Sequence, residues 1–255
     1  MSILKDLIKK HSPLERAKAE RRALRRKALD LEFLKSIRRE TVPEILDNLD
    51  LSKSQLRQDL FVLSEIGMKR NGFFVEFGAT NGVELSNTYL LETRYGWRGI
   101  LSEPARHWHA TLEKNRACAI DHRCVWSQSG ASLDFVESRS AEYSTIDHFS
   151  ASDMHLKKRR NGSRYSVETV SLNDLLAEHG APHEIDYLSI DTEGSEHAIL
   201  EAFDFDRHRF ATITCEHNYT PNRERIHDLL TSKGYARKFE HLSLFDDWYV
   251  FTGRP

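Results

Sequence analysis

The sequence predicts an α/β protein built on a doubly wound, mostly parallel sheet, and three observations carry this reading. From residue 73 onward, short apolar runs alternate with longer amphipathic stretches, the texture of successive βα units. A glycine-bearing turn, Gly78-Ala79-Thr80-Asn81-Gly82, follows directly on the first apolar run. The chain closes on two strand-like runs with no helix between them, so one antiparallel strand is expected at the end of the sheet.

The elements follow in order. Residues 3–40 hold no glycine and one proline, Pro13. Leu24, Ala28, Leu31 and Leu34, with Leu29, Phe33 and Ile37, space as an amphipathic helix. Ser12-Pro13-Leu14-Glu15 fits its start, with Ser12 as N-cap. Residues 41–58 read as a short helix and a connection. Strands are expected at Phe73–Phe77, at Gly99–Ser102, near Arg123–Ser127 as the third strand, and at Ser132–Val136. Helices are expected at Val83–Tyr95 and Ala105–Asn115. Residues 138–166 are polar and read as a mobile insertion. Then come helix Ser171–His179 with Ser171 as N-cap, strand Tyr187–Ile190, helix Ser195–Phe203 and strand Thr212–Cys215. Helix Arg223–Lys233 stops at Gly234, and strands near Ala236–Glu240 and Trp248–Thr252 finish the chain. This divides into a basic helical extension over 1–50 and a main domain over 51–255, with 138–168 inserted as a lid.

Composition narrows the class. The 255 residues are 39% hydrophobic and 30% charged, as in globular domains. No apolar run reaches the ~18 residues of a membrane span. The charged start, Met1-Ser-Ile-Leu-Lys-Asp, lacks the apolar core of a signal peptide, so a cytoplasmic protein is expected. Cys118, Cys124 and Cys215 have neither disulfide nor zinc spacing. Residues 1–40 carry 13 Lys/Arg and 6 Asp/Glu, a net of +7, and the remainder carries 24 and 33, a net of −9. An acidic main domain argues against nucleic acid as the partner.

The turn after the first strand is the first chemical signal. Ligands of open α/β sheets sit beyond the carboxyl ends of the strands. The spacing here is Gly-x-x-x-Gly, and Thr80 stands where a dinucleotide fingerprint needs its middle glycine. NAD is therefore disfavoured, and the absence of Gly-Lys-Ser/Thr excludes a triphosphate loop. S-adenosylmethionine needs no phosphate cradle. Glu76 suits its cationic methionine head. Glu103, 25 residues after Gly78, can accept hydrogen bonds from the ribose hydroxyls. Within Phe73–Pro104 the cofactor candidates are Glu76, Gly78, Ala79, Asn81, Gly82, Ser86, Asn87, Glu103 and Pro104. After the third strand, Ser127 and Gln128 are the polar candidates for adenine, while Trp126 can stack on the adenine or serve as a core residue, core being the favoured reading.

A second constellation follows later strands: Asp191-Thr192-Glu193-Gly194-Ser195-Glu196, and Glu216-His217-Asn218. All belong on the same rim. Asp191, Glu216 and His217 suit a divalent cation, Mg2+ or Mn2+. His217 or a carboxylate, Asp191 or Glu193, can serve as general base toward an acceptor hydroxyl. Asp191 can instead hold the methionine ammonium. Glu193 and Glu196 also suit a helix start without any catalytic role.

These segments together resemble the FkbM methyltransferases. The resemblance runs over about Ser54–Gly253 and is carried by Ser54–Phe61, by Val75–Gly82 with Ser86-Asn87-Thr88, by Tyr187–Glu196 with its Asp-x-Glu-Gly-x-Glu pattern, and by Glu216-His217-Asn218-Tyr219. It implies a Rossmann-like class I methyltransferase fold with a seven-stranded sheet and helices on both faces. It also implies S-adenosylmethionine as donor and a hydroxyl acceptor on a sugar, glycan or polyketide. By the same resemblance Glu76, Gly78, Asn81 and Glu103 bind cofactor, and Asp191 and Glu193 stand on the catalytic rim. Methylation of a small natural product and a non-catalytic scaffold are the alternatives. Tyr143 and Tyr165 can stack on a sugar, and His241 can face the acceptor cleft. The basic N-terminal helix can mediate oligomerisation or rest peripherally on the inner, anionic face of a membrane.

Overall fold

The computed structural model describes residues 13–137, 145–146 and 163–253. Ser12, the expected N-cap, and most of the expected insertion and lid, Tyr143 included, therefore lie outside the described residues, while the described parts of that stretch, 145–146 and 163–168, are strand. The central sheet has seven strands in the order β10-β11-β9-β8-β1-β2-β3. These are β1 (Phe73–Phe77), β2 (Arg98–Ser102), β3 (Ala119–Asp121), β8 (Glu184–Ile190), β9 (Arg209–Glu216), β10 (Tyr235–Lys238) and β11 (Asp246–Phe251). β1, β2, β3, β8 and β9 are mutually parallel. β11 runs antiparallel between β9 and β10. The α/β class and the closing antiparallel strand are as the sequence predicts.

All five residues of β1 are buried, which is why it reads as a continuous apolar run. Its side chains alternate between two cores. Phe73, Val75 and Phe77 meet Leu172 and Leu175 of α6 (Leu172–Glu178), Ile199 of α7 (Glu196–Glu201) and Ile226 of α8 (Asn222–Ser232). Phe74 meets Phe61 of α3 (Gln58–Glu65), Leu90 of α4 (Tyr89–Tyr95) and Leu112 of α5 (His109–Asn115). Helices thus cover both faces. Ser171 caps α6 by accepting from the Asp174 N–H, as its position suggests.

The N-terminal helix α1 (Pro13–Ser36) leads through a 3-10 turn into α2 (Val42–Asn48). Residues 23–28 are exposed, Leu24 among them, but Phe33 and Ile37 are buried beside Ile45, Phe61 and Trp248. The Phe33 ring meets Trp248 edge-on at 6.4 Å. Arg57 donates to both carboxylate oxygens of Asp30, at 2.8 and 3.0 Å. Among the described residues no helix is long and apolar enough to cross a membrane.

Three expectations need correction. The third strand of the main sheet is Ala119–Asp121, while β4 (Cys124–Trp126) joins a second sheet with β5 (Ser132–Glu137), β6 (Thr145–Ile146) and β7 (Ser163–Ser171). Asp121 accepts from the Arg123 N–H at 2.8 Å, and this turn breaks the run in two. The helix expected from Val83 begins only at Tyr89, because the Val83, Glu84 and Asn87 N–H groups and the Ser86 and Thr88 hydroxyls bond to the Asn81 and Glu76 side chains, which holds 83–88 as a loop. The helix expected from Ala105 begins at His109, since 105–109 wind as turns with i→i+3 bonds, Trp108 N–H to the Ala105 carbonyl and His109 N–H to that of Arg106.

Candidate active site

The parallel strands end on one rim, and a cavity opens there. Its wall is built from the ends of β1 (Glu76, Phe77), β2 (Ser102), β8 (Ser189, Ile190) and β9 (Thr214, Glu216), and from Asp246 at the start of β11. Gly78 makes the junction. Its φ is +72°, and a Cβ there would lie 2.1 Å from the Asp191 carbonyl oxygen, so the loops after β1 and β8 touch only because this residue has no side chain.

Glu76 is buried and bound on every side. It accepts from Ser86 Oγ at 3.0 Å, the Asn87 N–H at 2.7 Å and Thr88 Oγ1 at 2.5 Å. Arg116, its side chain buried, stands 3.7 Å behind it and also donates to Thr88 Oγ1 and the Gly82 carbonyl. Glu76 therefore clamps the 83–88 loop to the sheet while contributing to the cavity wall. Asn87 donates to Ser189 Oγ at 2.9 Å.

Glu103 faces the same cavity from the end of β2. One oxygen accepts from the Thr80 N–H and the other from the Ala105 N–H, each at 2.8 Å. Each keeps a lone pair. Burial pushes its carboxyl up to about 7.

The far wall is acidic. Asp191, Glu193 and Glu216 each offer an oxygen, all within 4.8 Å of one another. Burial raises both Asp191 and Glu216 above the usual carboxylate range, and Glu216 is raised further by the Asp191 and Glu193 charges beside it. Asp246 pairs in register with Glu216. Its Oδ2 accepts from Gln58 Nε2 at 3.0 Å and Trp248 Nε1 at 3.2 Å, and its Oδ1 is buried without a hydrogen-bond partner. Burial pushes Asp246 up to about 8. Among the described residues seven carboxylates line the cavity (Glu76, Glu84, Glu103, Asp191, Glu193, Glu216, Asp246), with no Lys, Arg or His. Such a wall is built for cationic ligands and for hydroxyl donors.

The sequence model of the methyltransferase FkbM domain matches residues 76–250. This chain belongs to the FkbM methyltransferase family. Its donor is accordingly S-adenosylmethionine. The site suits that molecule: a glycine opens the backbone at Gly78, Glu103 has lone pairs free for a ribose, and the acids face a cation. Solved structures similar to this FkbM methyltransferase include the precorrin-6y C5,15-methyltransferase of Geobacter metallireducens GS-15, at 11% identity and TM-score 0.39, covering 75% of this chain and 85% of that one. A SAM dependent methyltransferase from Aquifex aeolicus is similar at 11% identity and TM-score 0.37, covering 82% and 96%. No curated protein gives a significant match.

Of the residues expected at this FkbM site, Glu76, Gly78, Ala79, Ser86, Asn87, Glu103, Pro104, Asp191, Glu193 and Glu216 line the cavity. Four do not. Asn81 turns inward and accepts from the Val83 and Glu84 N–H groups. Gly82 is packed against Arg116 and Leu112, where a Cβ would meet Arg116 Cγ at 2.6 Å. Ser127 lies past the point where the chain leaves for the second sheet, so Cys124 and Val125 face the cavity in its place. His217 is buried away from it: the Tyr219 N–H donates to its Nδ1 at 3.0 Å, and Nε2 stands 3.8 Å from Asp247. With that lone pair engaged, His217 is a poor base, and Glu193 takes its place beside Asp191 and Glu216.

Other residues find structural uses. Glu196 accepts from Thr192 and from the Gly194 N–H and caps the β8 loop. Tyr165 donates to Glu137 at 2.6 Å with Arg106 over its ring, and neither it nor His241 lines the cavity. Trp126 packs against Cys124, Phe135 and Val167. Burial pushes the Cys118 and Cys124 thiols up to about 12, so they are unreactive. The sequence reading missed Gln58, Phe245 and Asp246. A pair of acids opening the apolar run Trp248–Phe251 was the available signal.

Proposed function

We propose that this FkbM methyltransferase methylates a hydroxyl of a sugar or glycan, with a divalent cation held by Asp191, Glu193 and Glu216. The observation that supports this most directly is the convergence of those three oxygens within 4.8 Å on the cofactor cavity. Oxygen donors alone suit magnesium or manganese, and the unpartnered Asp246 Oδ1 beside Glu216 adds a fourth buried acceptor. When bound, S-adenosylmethionine supplies a methyl group on a good leaving group, and a cation would make a coordinated hydroxyl more acidic.

The chain's own residues do the remainder. Glu103 accepts from the ribose hydroxyls and fixes the donor. The Asp191–Glu216 pair would accept from the acceptor hydroxyl and take its proton when that oxygen receives the methyl group and S-adenosylhomocysteine leaves. Among the described residues none of α1 lines the cavity, so we assign that helix to docking and not to chemistry.

The test is transfer of labelled methyl to a glycan panel, with and without chelator. Loss of transfer in chelator and its return with Mg2+ or Mn2+ is expected. Full activity in excess chelator would remove the cation from the reading, and label found only on nitrogen would remove the hydroxyl.

A further inference from the structure

Among the described residues, six large apolar side chains stand exposed, and four of them lie between residues 13 and 51. The other two, Tyr219 at 61% and Leu85 at 49% exposure, both stand on the cavity wall at its mouth. Both occupy left-handed backbone, with φ of 57° and 63°, and Asn218 before Tyr219 has φ 44°. Side chains of this size rarely adopt that conformation, and where they do the surroundings enforce it, commonly at ligand clamps. Here Asn218 donates its N–H to the Phe245 carbonyl at 3.1 Å, and Tyr219 donates its own to His217 Nδ1. The His217 ring stands edge-on to Tyr219 at 5.4 Å. Leu85 is held by a bridge to Ser54. An aromatic ring and a leucine are thus held solvent-exposed on the cavity that Asp191, Glu216 and Asp246 also line.

We infer that Tyr219 and Leu85 form the acceptor subsite, and that its ligand is a neutral polyhydroxylated ring. The ring's C–H face lies on Tyr219 and Leu85, and its hydroxyls point down to the acids. Rings with an apolar face gain from an aromatic platform. Without a bound cation, carboxylates welcome hydroxyl donors but repel a phosphate or carboxylate, and among the described residues no cationic side chain lines the cavity to receive one. This rests on the hydroxyl-transfer reading above. His217 then serves as a positioning residue for Tyr219.

Saturation-transfer NMR on the full chain saturated with S-adenosylhomocysteine, in excess chelator so that no cation masks the acids, tests it. The probes are neutral methyl hexopyranosides of gluco, galacto and manno configuration, with methyl glucuronate and glucose 6-phosphate as anionic counterparts. At least one neutral ring is expected to bind, with the strongest transfer to the protons of one face, and the anionic sugars are expected not to. Tyr219→Ala is expected to weaken that binding roughly tenfold, Tyr219→Phe to retain it, and Leu85→Ala to weaken it less. Affinity for S-adenosylhomocysteine stays unchanged in all three. Equal binding to Tyr219→Ala, comparable binding of an anionic sugar, or no neutral ring binding to a protein that binds S-adenosylhomocysteine would each overturn the subsite. Failure of the unaltered chain to bind S-adenosylhomocysteine would instead overturn the methyl-transfer reading.

Discussion

The place where a Gly78 side chain would begin is occupied by the main chain of Asp191: a Cβ would sit 2.1 Å from that carbonyl oxygen. The turn after β1 and the loop after β8 are therefore in direct contact, and the position also carries a φ of +72°. Gly78→Ala must both strain the backbone, at a cost of about 1 kcal/mol or more, and push the two loops apart. Calorimetry is expected to show S-adenosylhomocysteine affinity reduced at least tenfold, with a lower melting temperature. Wild-type affinity in this variant would mean that the loops separate freely.

Glu103 should make cofactor affinity depend on pH. Burial holds it near 7, so in the free protein it is partly protonated at neutral pH. Ribose hydroxyls donate to the ionised form. Affinity should therefore rise as pH goes from 6 to 8. Glu103→Gln should remove that rise and weaken binding at pH 8 by roughly 10–100-fold, the worth of hydrogen bonds to a charged group. A variant with an unchanged pH profile would take the ribose contact away from Glu103.

Much of this rim was legible in the sequence, for local reasons. β1 is buried on both faces, and the Gly78 turn must follow it, so Glu76, Gly78 and Glu103 announce themselves by position. Asp191 and Glu193 do likewise after β8. Asp246 was not legible, because it reaches the rim from an antiparallel strand inserted between β9 and β10, and no local spacing encodes that pairing. His217 misled for a related reason. The strand end placed it on the rim, but its lone pair is consumed by the Tyr219 N–H, a contact made by left-handed backbone that periodicity does not reveal. Asn81 and Ser127 failed through turns that redirect the chain.

The buried acids should set the pH dependence of stability. Asp246 is raised to about 8 and Glu103 to about 7, both by burial. Between pH ~4 and 8 the folded chain keeps protons that the unfolded chain releases, so their contribution is full at the acid end and is lost as pH rises through these values. The ligand-free protein should melt progressively lower from pH 6 to 8.5. Asp246→Asn should flatten the curve and raise the melting temperature at pH 8.5, by roughly 2–4 °C per kcal/mol recovered. A curve as steep as wild type would mean that Asp246 ionises freely in the fold.

His217 offers a choice between base and positioning residue. Removing a general base costs roughly 10²–10⁴-fold in rate. With Nδ1 accepting from the Tyr219 N–H, His217→Asn retains an acceptor in about the right place. Steady-state kinetics with the best neutral hexopyranoside should show kcat reduced less than roughly tenfold, acceptor KM raised and the pH profile unchanged. Loss of a limb of that profile would restore His217 as the base.

The N-terminal helix divides at about residue 29, and the division decides what a shortened chain reports. Asp30 is tied to Arg57, and Phe33 and Ile37 are buried against the core that holds Trp248, whereas residues 23–28 are exposed. A chain beginning at residue 29 should therefore melt with the full-length protein. A chain beginning at residue 41 gives up the Phe33 contact alone at about 3–5 kcal/mol, which for a domain of this size lowers the melting temperature by roughly 10 °C or more. Loss of assembly in that shorter chain would reflect a damaged core as readily as a missing interface. Scanning calorimetry of the two chains side by side separates these. Equal melting would show that the Phe33 and Ile37 packing contributes nothing, while the expected gap leaves the chain from residue 29 as the one in which to ask whether the basic first turns carry association.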